Sequence, residues 1–329
     1  MPIESDIVQP QVLVRVPASH FGATIPALFV QAGDKAVERL VQFFTAEIRN
    51  PNTRATYAFA VSRFDRWCQT NGLALGDLTP FHVASYVEQI GTEMAKPSVK
   101  VHLAAVRMLC DYLVIGQVIP FNPATSVRGP KYVLKKGKTP VLTGVETRSL
   151  FAGIETDTVI GLRDRALIGV MAYSFARISA VLGMNVEDFY QQGKQSWVRL
   201  HEKGGKEHDV PAHHTLVELL DRYQHEAGIE TEKGTPLFRS FNRHQKLSGD
   251  RLTRREALAV IKRRSRAAGL GDRICNHTFR ATGITNYLEN QGTIEKAMQI
   301  AAHESPRTTK LYDRRNDLIH LDEIEKIRF

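Results

Sequence analysis

Residues 302–312 read Ala302-His303-Glu304-Ser305-Pro306-Arg307-Thr308-Thr309-Lys310-Leu311-Tyr312. A histidine leads a tyrosine by nine residues. Lys310, Arg314 and Arg315 surround that tyrosine, with little apolar context to bury its ring. A lone histidine or tyrosine is ordinarily structural, so the stretch gains meaning only beside three others. His277-Thr278-Phe279-Arg280 sets a histidine and an arginine at i and i+3, on one helix face. The small, apolar run Ala281-Thr282-Gly283-Ile284 follows, which predicts close packing and makes cations there costly without an anion. Phe175-Ala176-Arg177-Ile178-Ser179 places an arginine among apolar residues after a helix that reads as buried. Lys203-Gly204-Gly205-Lys206 joins two short strand patterns, 196–201 and 207–210, and Pro211 ends the second. Gly-Gly between strands marks a hairpin, because both central positions of the favoured turn need positive φ.

Together these stretches supply two arginines, a lysine and two histidines, all donors or cations at neutral or mildly acidic pH. No carboxylate pair accompanies them, and no His/Cys/Asp cluster has metal-ligand spacing. The set suits a phosphorane carrying extra negative charge. Guanidinium forks fit phosphate oxygens bidentately and stabilise charge that develops in the transition state. A tyrosine hydroxyl is a competent covalent nucleophile once a base or a positive field assists it. The residues therefore point to metal-independent phosphoryl transfer through a phosphotyrosine.

In order and spacing the four stretches resemble the tyrosine recombinases of the phage integrase family. Lys203-Gly204-Gly205-Lys206-Glu207-His208-Asp209-Val210-Pro211 is similar to that family's β-hairpin motif, 277–280 to its His-x-x-Arg box, and 302–312 to its terminal signature. Three positions depart from the pattern. Ser174-Phe175-Ala176-Arg177 replaces Thr-Gly-Leu-Arg, with Ala180 at the usually acidic position three residues on. His208 stands where arginine is common. Ala301-Ala302 replaces a leucine-glycine pair. The resemblance implies a fold that is mainly α with a small antiparallel β-sheet. It implies an enzyme that cleaves and rejoins DNA at specific sites through a 3′-phosphotyrosine and a Holliday junction. Tyr312 would be the nucleophile, Arg177 and Arg280 would bind the non-bridging oxygens, and Lys203 would protonate the leaving 5′-oxygen. His277 would assist proton transfer and His303 would donate to the phosphate. Neither metal nor any other cofactor is implied. The partners implied are duplex DNA with an inverted-repeat core site and three further copies of the chain in a tetramer on paired sites.

Along the chain, residues 1–33 hold four prolines and few charges and read as an irregular arm. Residues 34–127 read as a helical DNA-binding domain of the core-binding (SAM-like) type. Its helices carry Leu40 and Phe44, then Val61 and Phe64, then Val83 and Ile90 after Thr79-Pro80, then Val99 to Leu113. Residues 128–142 are a basic linker with Lys131, Lys135, Lys136 and Lys138 as candidate phosphate contacts. Residues 143–329 read as the catalytic domain, opened by the capping box Thr143-x-x-Glu146, with helices from His213 onward. Apolar residues in 318–329 read as a tail helix that docks in trans on a neighbouring protomer. Within 251–266, Arg254, Arg255, Arg263 and Arg264 are candidate DNA contacts.

The chain has 329 residues and a formal net charge of +9, concentrated in 131–329, where 33 Lys+Arg face 25 Asp+Glu. Such a balance favours a polyanionic partner. Cys68, Cys110 and Cys275 match neither a zinc spacing nor a disulfide framework. With no long apolar run, no membrane is expected, and the expected location is the cytoplasm, at the nucleoid. Two other readings stay open at this point: a type IB topoisomerase that nicks and closes one strand, and a DNA-binding protein without catalysis.

Overall fold

The computed structural model describes residues 25–133, 137–202, 205–313 and 324–327. The chain divides into two compact units, Met1–Val133 and Leu134–Phe329. The first holds five α-helices among its described residues: α1 (Ala27–Gln31), α2 (Asp34–Gln42), α3 (Pro51–Thr70), α4 (Pro80–Glu93) and α5 (Lys96–Ile115). Asn50 starts α3, because its side chain accepts from the amides of Asn52 and Thr53 while Pro51 sets the first helical φ. At α4, Pro80 again sets the first helical φ, and the Thr79 amide donates to the His82 ring nitrogen Nδ1 at 3.3 Å. The apolar positions Leu40, Phe44, Val61, Phe64, Val83, Ile90, Leu103 and Leu113 meet in one core.

One expectation is overturned here. Residues 25–33 are not irregular: α1 lies among them, and its Leu28 and Phe29 are buried in the same core. The backbone amide of Leu28 donates to the buried carboxylate of Asp65 at 2.7 Å, which pins α1 to α3. A five-residue helix without a capping side chain is not stable alone. It forms because the domain covers it, and no local sequence signal announces that.

The second unit contains α6 (Gly144–Ala152), α7 (Val159–Tyr173), α8 (Ile178–Gly183), α9 (His214–Ala227), α10 (Arg254–Ala267), α11 (Asn276–Glu289), α12 (Ile294–Ile300) and α13 (Pro306–Lys310). Thr143 and Glu146 close the expected capping box. Strands β1 (Phe189–Gln192), β2 (Gln195–His201) and β3 (Glu207–Pro211) form an antiparallel meander. The β2–β3 hairpin is the one expected from the Gly-Gly signal. A second hairpin, β4 (Arg239–Phe241) with β5 (Leu247–Arg251), corrects the reading of everything after His213 as helical. Its strands are short and bear polar residues on both faces, so they lack the alternation that marks a strand.

Helix α7 is buried nearly all round and packs against α9 and α11. Gly283 makes the α7–α11 approach possible. A Cβ there would lie 2.0 Å from the Ala172 carbonyl oxygen and 2.7 Å from the Phe175 ring. A backbone carbonyl cannot swing aside, so Gly283→Ala must push the two helices apart. It should cost about 1–3 kcal/mol in stability. Denaturant titration of the variant checks this.

Candidate active site

Five of the six expected catalytic residues cluster in the second unit, four of them around the buried fifth, Arg280. Arg280, on α11, is 1% exposed. Its guanidinium donates to the carbonyls of Phe175, just before α8, and of Ala301, just after α12, the latter at 2.7 Å. It also interacts with the Tyr312 side chain, and Arg177 lies close enough to repel it. Burial and that repulsion lower its pKa to about 10, so it remains charged at neutral pH. Arg177, the N-cap residue of α8, is about one-third exposed and pairs with Glu202 at 2.5 Å.

Tyr312 follows α13. Its backbone carbonyl accepts from the Thr285 hydroxyl at 2.8 Å, so α11 holds the tyrosine as well as Arg280. The His303 ring lies nearly parallel to the Tyr312 ring, at 10° with centroids 5.7 Å apart. His303 Nδ1 is 2.9 Å from the hydroxyl of buried Thr309. Burial, then Arg280 and Arg177, hold the His303 pKa down at about 3. His277 sits one turn before Arg280 and is exposed. Packing around its ring, then Arg280, Arg177 and Arg254, lower its pKa too. The two histidines are thus neutral in the DNA-free protein at pH 7. Of the two roles the sequence leaves open for them, donor or cation, this favours neutral imidazoles that can donate or accept. Lys203 lies outside the described residues.

Two of the departures noted in the sequence fall at Arg280's two acceptors. Phe175 has φ 54° and Ala302, next to Ala301, has φ 46°. These are left-handed conformations that glycine adopts at no steric cost and other residues adopt rarely. The glycines of the family pattern correspond to these two positions. Here Phe175 fills the notch left by Gly283 and meets the Tyr287 ring at 5.9 Å. The third departure, His208, places Nε2 3.1 Å from the Ile300 carbonyl and so ties β3 to α12.

The phage integrase family profile matches residues 140–318. Tyrosine recombinase XerC of Chlamydia trachomatis is 31% identical over 229 residues, 69% of this chain and 69% of that protein. This chain belongs to the phage integrase family. By that membership it is a tyrosine recombinase. Tyrosine recombinase XerD of Pseudomonas aeruginosa is 28% identical over 268 residues, 79% of this chain and 86% of the relative. Two solved structures share the fold. One is XerH site-specific recombinase bound to a palindromic difH substrate in a post-cleavage complex. It has a TM-score of 0.68 and 18% identity, and the match covers 89% of this chain and 88% of that one. The other is a lambda integrase (75–356) dimer bound to a COC′ core site. It has a TM-score of 0.66 and 17% identity, and the match covers 89% of this chain and 97% of that one.

The basic stretch of this recombinase on α10 is less available to DNA than its sequence suggests. Arg264 is buried and bonds Asp164 at 2.9 Å and Glu155 at 2.6 Å. It is a structural cation, which corrects its place among the DNA contacts. The reason lies in Asp164, a fully buried carboxylate that also accepts from Arg163 and from the exposed Arg263. Arg251 is spent on the carbonyls of Leu182 and Met184. Arg254 and Arg255, at the start of α10, are exposed. Lys131 and Lys138 are exposed as well, while Lys135 and Lys136 lie outside the described residues. Among the described residues no helix is long and apolar enough to cross a membrane.

Two outcomes follow from these placements. Arg264→Ala strips one partner from a buried carboxylate and should cost on the order of 3 kcal/mol of stability. Arg254→Ala should leave stability alone and reduce the salt dependence of DNA affinity by roughly one counterion. Chemical denaturation and binding titrations at several salt concentrations separate the two. His303 gives a pH outcome. It titrates near 3 when folded against 6.5 for a free imidazole. It therefore costs nothing above pH 6.5 and progressively more as the pH falls below that value. His303→Asn should remove up to about 2 kcal/mol of the wild-type loss by pH 5, read from stability measured at each pH.

Proposed function

We propose that this chain is a site-specific DNA recombinase that forms a 3′-phosphotyrosine with Tyr312. The observation that supports the reading is the buried Arg280 guanidinium, with Arg177, His303 and Tyr312 grouped around it. Two guanidiniums this close repel each other, Glu202 offsets only part of that repulsion, and a phosphate diester supplies the anion that relieves the rest. Tyr312 attacks the scissile phosphorus and its phenolic proton passes to neutral His277. The bond to the 5′-oxygen breaks, and Lys203 gives that oxygen a proton. Arg177 and Arg280 hold the two non-bridging oxygens as charge grows on them. In the tautomer whose Nδ1 accepts from the Thr309 hydroxyl, His303 presents its proton from Nε2 to the phosphate. The phosphotyrosine keeps the energy of the broken bond, so resealing by a 5′-hydroxyl of a partner duplex needs neither a nucleotide nor a metal.

Duplex DNA with paired core sites, exchanged in a tetramer through a Holliday junction, is the substrate this reading implies. A solved lambda integrase tetramer is bound to such a junction, and its fold matches this chain with a TM-score of 0.64. The place of work is then the cytoplasm, at the nucleoid. The tail 318–329, with 318–323 and 328–329 outside the described residues and Ile324 and Ile327 exposed, would cover a neighbouring protomer. Trapping on a nicked suicide substrate tests the chemistry. Tyr312→Phe should bind DNA and give no SDS-resistant adduct. Lys203→Ala should cleave slowly and recover on a 5′-bridging phosphorothiolate, whose leaving group needs no proton. An adduct from Tyr312→Phe would assign the nucleophile elsewhere.

A further inference from the structure

The family pattern supplies Arg177 with a carboxylate from three residues downstream, and here that residue is Ala180, fully buried and apolar. The Arg177 guanidinium is nevertheless not left alone. Its Nη1 donates to Glu202 Oε2 at 2.5 Å, and the Glu202 side chain is only 7% exposed. Glu202 belongs to a different element, the end of the β2–β3 hairpin, one residue before Lys203. The Glu202 amide donates to the Lys206 carbonyl at 2.8 Å, which closes the hairpin neck and fixes where the side chain starts. The preceding residue, His201, bonds the Asp188 carboxylate at 2.8 Å and rests against α8 at Gly183. The neck is therefore seated before Glu202 reaches across. Glu202 also acts electrostatically on Arg280. Among the described residues it is the carboxylate in direct contact with the arginine pair.

We propose that Glu202 is the positioning residue for Arg177, providing from the hairpin the carboxylate that Ala180 cannot, and coupling the strand that leads to Lys203 to the phosphate-binding arginine. The inference rests on the phosphotyrosine reading above. Two consequences follow. The carboxylate fixes the rotamer of Arg177, which at one-third exposure would otherwise sample solvent. It also offsets part of the repulsion between Arg177 and Arg280, so both can point at one phosphate. Glu202 touches neither the phosphate nor the leaving group. Its effect should appear in the rate of phosphotyrosine formation, not in DNA affinity.

The test is single-turnover adduct formation on the nicked suicide substrate by the full chain, with DNA affinity and thermal stability measured alongside. Glu202→Gln keeps size and shape and removes the charge. It should slow adduct formation on the order of 10–100-fold, as expected when a reacting group is misplaced, with affinity changed less than about twofold. Glu202→Asp keeps the charge at shorter reach and should fall between the Gln variant and wild type. A 5′-bridging phosphorothiolate should not restore the Gln variant, although it restores Lys203→Ala. A Gln variant as fast as wild type overturns the proposal. So does a faster or tighter-binding one, which would mean the carboxylate occupies the place of the phosphate. Rescue by the phosphorothiolate, or Asp slower than Gln, overturns it as well. Wild-type protein that forms no adduct, or Tyr312→Phe that does, defeats the underlying reading instead and is recognised by those two controls alone.

Discussion

The second unit is organised around the need to bury a cation. A guanidinium at 1% exposure is tolerated only if its N–H groups find acceptors. Arg280 finds them in two backbone carbonyls from distant points in the chain, at Phe175 and Ala301. Those carbonyls are aimed by left-handed turns at Phe175 and Ala302. Each turn costs on the order of 1–3 kcal/mol for a residue other than glycine. Arg280 bonding and the Gly283 notch hold Phe175 in place, and the Ala302 turn delivers the chain to His303. From there α13 carries it back to Tyr312, which Thr285 of the same α11 receives. One helix thus sets the arginine, the histidine before it and the tyrosine, through residues three to five positions apart.

Most of this frame was legible in the sequence. Helix starts came from local chemistry that needs no tertiary context: Asn50-Pro51, Thr79-Pro80 and the Thr143–Glu146 box. The β2–β3 hairpin came from a glycine pair. Two kinds of element were missed. Helix α1 owes its existence to burial against α3 and to Asp65, a partner 37 residues away. Strands β4 and β5 are short and polar on both sides, so periodicity had nothing to register.

The site shows the same division. Residue types and spacing singled out Arg177, His277, Arg280, His303 and Tyr312, and the fold brings these five together. What spacing could not supply was the partner of each charge. Arg264 sits in a basic run that resembles Arg254 and Arg255, yet a buried aspartate 100 residues earlier claims it. Glu202 was passed over because it lies in a hairpin neck where charged residues are ordinary. Its signal was indirect: an alanine at 180 where a carboxylate is usual implies that one comes from elsewhere or that the arginine changes role.

The electrostatics of the cluster carry one step further. Burial first, and then Arg280 and Arg177, depress the pKa of both histidines, and the second part is the same repulsion seen from the imidazole side. Linkage makes the effect reciprocal: any anion that enters between the arginines raises the proton affinity of both rings. On the proposed phosphotyrosine reading, a neutral imidazole that becomes a better base as the phosphate arrives is suited to take the phenolic proton at that moment and not before. The strained turns, the buried guanidinium and the neutral histidines then form one arrangement, which on the proposed reading an anion completes. Glu202 limits how far the repulsion runs while the anion is absent, so its contact with Arg177 is compatible with the phosphate-binding role proposed for that arginine.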